Sequence, residues 1–161
     1  MFGAILLEEG MDFFTDMFQV VQSLKGRQLE YNWLITDIET NAINEKIPEL
    51  QNDFCWMSGN ELTKFITQYS SMQWMWGVFT GFKPEVSYSE IMKYPLPYAN
   101  ENPDLWKTPL TLQNPLATIE IVCWDSSLVL IVSKKKEIVL DFMEKFPGSR
   151  NLFLYNEDIK V

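Results

Sequence analysis

The chain has 161 residues, 47% of them apolar and 22% charged; this fits one folded domain with a sizeable core and excludes a disordered chain. A net charge of −9 repels nucleic-acid phosphates and anionic membranes and attracts basic partners. Histidine is absent, so serine or cysteine triads built on histidine, histidine bases and histidine metal sites are excluded.

Phe2–Leu7 is a short apolar run and predicts a buried opening strand. No basic segment precedes it and Glu8 follows, so it is not read as a signal peptide. No apolar run approaches the roughly 20 residues that span a bilayer, and a cytoplasmic location is expected. Phe14, Met17, Phe18, Val21 and Leu24 recur at helical spacing, with Gly26 as the stop. In "LEYNWLITDIET", Tyr31, Trp33 and Ile35 alternate with Asn32, Leu34 and Thr36, which predicts a strand with one wet or partly wet face.

Residues 40–52 are polar, contain Pro48 and read as a loop, and Phe54–Met57 as a short strand. Ser58 and Glu61 form a capping box, with Met57 and Leu62 at staple positions, ahead of the stripe Leu62, Phe65, Ile66 and Tyr69. Gln73 to Phe82 is an aromatic strand in which Gly77 and Gly81 read as bulge or close-packing glycines. Trp74 and Trp76 are expected on one face. A second capping box, Ser87 and Glu90, opens a short helix that Pro95 ends.

The stretch "YPLPYANENPDLWKTPLTLQNPL" is rich in proline yet too apolar for a linker, and predicts a long ordered loop lying on the domain. Ile119, Ile121 and Cys123 then alternate with Glu120, Val122 and Trp124, and Leu128 to Val132 is almost wholly apolar. Asp125, Ser126 and Ser127 break the run. Cys123, Asp125, Ser126 and Ser127 have the residue types of a nucleophile and its helpers, but no histidine stands ready as base, and a hairpin turn accounts for each of them. Ser133 is expected to cap a final helix with the stripe Ile138, Val139, Phe142, Met143 and Phe146, ended by Pro147 and Gly148. The whole reads as one α+β domain over residues 1–161, a mainly antiparallel sheet with helices packed against it and the 119–132 hairpin at its centre.

Candidate sites are few. Cys55 and Cys123 lie far apart in apolar settings and read as free thiols, with a single disulfide between them as the alternative. Asp37 and Glu39 stand two apart, with Glu45 and Glu49 further on, but no calcium-loop pattern accompanies them. They read as an acidic edge strand or a partner surface. Lys134–Lys136 read as a solvated helix start. Charge is uneven: residues 1–60 hold 10 acidic and 3 basic residues. Trp106 stands apart from the strand tryptophans, in the proline-rich loop near Glu101 and Asp104. A half-exposed Trp among acids suits a hot spot for a basic protein. Asp37, Glu39, Glu101, Asp104 and Trp106 are therefore the candidate partner-binding residues. No cofactor or metal site is expected.

The order of "YNWLI" strand, capped helix, "WGVFTGF" strand, "YPLPY" loop and "IEIVCWDSSLVLIVSK" hairpin resembles small bacterial α+β proteins, among them immunity proteins of polymorphic toxin systems. The resemblance implies a non-enzymatic protein that binds and neutralises a cognate toxin. The alternative is an enzyme or small-ligand binder with an aromatic pocket and carboxylate chemistry, which would show a deep pocket with shielded carboxylates.

Overall fold

The computed structural model describes residues 1–7, 14–42 and 47–159. Seven strands form one antiparallel sheet: β1 Phe2–Leu6, β2 Asn32–Thr40, β3 Phe54–Ser58, β4 Trp74–Phe82, β5 Ile119–Trp124, β6 Leu128–Ser133 and β7 Arg150–Asn151, in the order β3-β2-β4-β5-β6-β1-β7. The helices are α1 Met17–Ser23, α2 Gly59–Gln68, α3 Tyr88–Ile91, α4 Lys136–Lys145 and α5 Leu152–Asp158. The fold is α+β. Among the described residues no helix is long and apolar enough to cross a membrane.

The 119–132 hairpin occupies the middle of the sheet, and Val129 to Val132 are buried on both faces. Its turn is made by Asp125 and Ser126 at φ 47° and 54°, the left-handed pair that matches the twist of two paired strands. Ser127 N–H closes the turn on the Trp124 carbonyl at 2.9 Å.

The two faces of the sheet are covered differently. Met17, Val20, Leu62, Phe65, Ile138 and Phe142 come down from α1, α2 and α4 onto Trp33, Ile35, Phe79, Ile121 and Ile131. The other face, with Ile5, Leu34, Val78, Phe82, Val122 and Leu130, is covered by α3, α5 and the irregular segment from Ala99 to Ala117. The expected wet face of β2 is thus wrong: Leu34 and Thr36 are each 1% exposed because the loop lies over them. Nor is β2 an edge strand, since β3 and β4 flank it.

Four further expectations are corrected. Trp74 and Trp76 belong to opposite faces, because the register shifts between Glu39 and Thr40, which pair with Trp76 and Trp74; the extra residue, Met75, breaks the period of two. Ser133 ends β6 rather than capping α4, whose N-cap is Lys135, although Ser133 Oγ accepts from the Lys135 N–H at 3.0 Å. That helix is also not the last, for β7 and α5 follow it. Both capping boxes form as read. Phe14 lies outside the helix that begins at Met17, and is exposed.

Glycine is required at the start of α2 by close approach. A Cβ on Gly59 would stand 2.1 Å from the Gln28 carbonyl oxygen and 2.7 Å from Leu29 Cα, backbone atoms of the 3-10 turn Arg27–Glu30. Gly81 is also close-packed, where a Cβ would stand 2.5 Å from the side-chain Cγ2 of Ile119. Gly59→Ala is expected to lower stability by about 1–3 kcal/mol, seen as a lower urea midpoint with an unchanged slope.

Candidate functional site

The covering loop has almost no regular structure, so its backbone groups need partners from side chains. They have them. Thr36 Oγ donates to the Pro97 carbonyl at 2.6 Å. The Asp37 carboxylate accepts from the Ala99 and Asn100 N–H groups at 2.7 and 2.9 Å. Asn102 Nδ2 donates to the Tyr98 carbonyl at 2.9 Å, and its Oδ1 accepts from Asp104 N–H at 3.0 Å, capping the 3-10 turn Pro103–Trp106. Asn114 reaches the Ile91 carbonyl at 3.3 Å, and Asn156 of α5 the Leu105 and Lys107 carbonyls at 3.1 and 3.2 Å. Pinned in this way, Trp106 is held over the end of the sheet.

There it meets two tryptophans from the strands. Trp76 and Trp124 pack edge to face with centroids 5.0 Å apart, Trp106 stands 4.9 Å from Trp124, and Tyr155 lies 6.4 Å beyond Trp106. All three tryptophans are half-buried. Glu39 is the strand partner of Trp76. Asp125 follows Trp124 in the turn, and Glu101 and Asp104 precede Trp106; these four acids are exposed. Asp104 pairs with Lys107 at 2.6 Å. Two residues far apart in sequence, Glu39 and Trp106, thus belong to one row through Trp76 and Trp124.

Of the five candidates, Glu39, Asp104 and Trp106 border this row. Glu101 is exposed on the same loop, at φ 58°. Asp37 has a different role: at φ 51° beside the register shift that follows Thr36, it spends its carboxylate on the loop. Glu45 lies outside the described residues. In the sequence Trp106 stands apart from the strand tryptophans Trp76 and Trp124, and the row was missed. One signal was available, because Trp124 abuts the turn residues and so stands at a strand end.

Cys55 and Cys123 are free. Burial, helped by Glu49, pushes the Cys55 thiol up to about 12, and burial raises Cys123 also, so both are thiols rather than thiolates at neutral pH. A cleft of about 610 Å³ lies between β3, α2 and the 3-10 turn Pro48–Leu50, lined by Glu49, Cys55, Trp56, Glu61, Lys64 and Phe65. The Glu61 carboxylate is committed to the Ser58 N–H and hydroxyl, which hold it below the usual range. A smaller hollow of about 110 Å³ adjoins the exposed Phe2, Leu140 and Phe153. Among the described residues no group of three or more Cys, Asp or Glu is placed to hold a metal ion.

No protein-family model matches the chain, and neither a curated protein nor a solved structure does.

Asp37 offers a direct check on how the row is supported. Asp37→Ala leaves two loop N–H groups without an acceptor and puts alanine at a left-handed φ. It is expected to cost about 1–3 kcal/mol in urea unfolding. Asp37→Asn keeps an acceptor, tolerates that backbone, and is expected to cost less than half as much.

Proposed function

We propose that the protein is a non-enzymatic binding protein of immunity type, which neutralises a basic protein toxin by docking it on the tryptophan row and its bordering acids. The observation that carries this reading is the row itself. Three half-exposed tryptophans stand in contact at the end of the sheet, each with a carboxylate beside it in sequence or in register: Glu39 with Trp76, Asp125 with Trp124, and Asp104 with Trp106. Tryptophan supplies the desolvated anchors of protein interfaces, and exposed acids steer a basic partner into place. The pinned loop presents Trp106 already ordered, so little conformational freedom is lost on binding.

The catalytic alternative calls for a shielded carboxylate in a pocket. Glu120 is shielded, but it lies beneath Gln113 and lines neither of the clefts described above. No particular observation favours that reading.

The test is co-purification of the tagged chain from its native cell, identification of what binds, and kinetics on the purified pair. The expected partner is basic. Association should slow as salt rises, since screening acts over about 8 Å at physiological ionic strength. Trp106→Ala should weaken binding by about 2 kcal/mol, mainly through faster dissociation, while Asp104→Lys should slow association without changing the fold. An acidic partner, or one whose binding ignores both salt and Trp106, contradicts the reading.

A further inference from the structure

Glu120 is the second residue of β5, the central strand, and is 1% exposed. Its two strand neighbours are Thr80 of β4 and Val132 of β6. Above it lies Gln113, whose backbone N–H reaches Glu120 Oε2 at 3.3 Å and whose side-chain Nε2 reaches Oε1 at 3.1 Å. The Gln113 Oε1 in turn accepts from the Tyr98 N–H at 2.9 Å and from Asn102 Nδ2 at 3.0 Å. Tyr98 and Gln113 are the two ends of the loop segment that carries Trp106. One buried carboxylate therefore closes that segment at its base, through one glutamine.

Among the described residues no ion pair compensates this carboxylate. The groups facing it from β4, β6 and the loop are Thr80, Val132 and Gln113, none of them charged, and no charged side chain contributes to its protonation. Thr80 Oγ1, on the residue directly opposite, is buried and has no hydrogen-bond partner. A charged Glu120 leaves a buried negative charge held only by the two Gln113 donors. A protonated Glu120 removes that buried charge and can still accept from Gln113. The site is built to suit the neutral form better than the charged one.

We propose that Glu120 is a proton-operated clasp at the base of the Trp106 loop, closing the Tyr98–Gln113 junction when it is neutral and loosening it when it is charged. Burial raises the carboxyl from its ordinary 4.5 to about 7, with the Gln113 donors pulling the other way. In the opened junction Glu120 meets water and reverts toward the ordinary value. The closed form therefore binds the proton more tightly, and closure is strongest below 4.5. It weakens by up to about tenfold per pH unit as pH rises toward 7, and is level above that. The clasp concerns how the proposed binding surface is held and rests on that reading only for its biological use.

The experiment uses the whole chain and needs no partner. The carboxyl carbon of Glu120 is titrated by NMR, and the hydrogen-exchange protection of the Tyr98 and Gln113 amides is followed over the same pH range, corrected for the intrinsic rate. The expected result is a Glu120 midpoint near 7, with protection at both amides falling about tenfold per unit below it and level above it. Protection at Ile131, in the neighbouring strand, should not follow that curve. Glu120→Gln should flatten the dependence at Tyr98 and Gln113. A Glu120 midpoint in the ordinary carboxylate range overturns the proposal, and so does protection that is flat in the wild type. An identical curve at Ile131 also overturns it, since that is unfolding of the whole domain rather than opening of a clasp. Should Glu120→Gln fail to fold, the two wild-type titrations decide alone. A partner that binds elsewhere would sink the functional reading and leave these titrations as they are.

Discussion

A sheet with two apolar faces has to be covered twice. Seven strands whose centre is apolar on both sides cannot leave either side to water. Helices cover one face and satisfy their own backbone groups. On the other face the cover is mostly irregular chain, and irregular chain over a core must find an outside partner for each buried amide and carbonyl. That requirement explains why Thr36, Asn102, Asn114, Glu120 and Asn156, polar residues at most 1% exposed, gather under or within one loop. They stand where a helix would have supplied its own hydrogen bonds.

The same constraint places the aromatic row. The loop covers the middle of its face, where Ala99, Leu105, Leu110 and Leu112 are buried against Val78, Phe82 and Val122. Toward the start of β4 and the end of β5 that cover thins, and the strand tryptophans Trp76 and Trp124 stay half-buried, with Trp106 against Trp124 and Tyr155 against Trp106. Each of these large rings is thus half dry and half wet. The acids beside them keep that surface from sticking indiscriminately, because they disfavour self-association of an already acidic chain.

Much of this was legible in the sequence where the signal was local. Both capping boxes, the turn at Asp125 and Ser126, the central apolar hairpin and the close-packed Gly81 follow from residue types at short spacing. What failed depends on distant contacts. Leu34 and Thr36 looked half-wet because nothing near them in sequence tells that residues 97–99 will lie on top. Trp74 and Trp76 looked like one face because an extra residue in a strand changes no composition, only register. Helix α5 was overlooked because Phe153 and Leu154 are exposed, so its apolar residues do not trace a clean inner stripe. Of the site, Trp106 and its acids stood out by context. Their junction with Trp76 and Trp124 needed the sheet's pairing, and Asp37 needed the loop.

In the proposed binding surface the half-exposed tryptophans lie in a negative field and are held there by an ordered loop. Quenching of tryptophan emission by charged solutes tests this most directly, in a Trp56→Phe background that leaves Trp76, Trp106 and Trp124 as the half-buried emitters beside the buried Trp33 and Trp74. Caesium should quench more strongly than iodide at low salt, and added salt should narrow the difference. Equal quenching by both ions at low salt, or emission that neither ion reaches, would contradict the acidic tryptophan surface on which the functional reading depends.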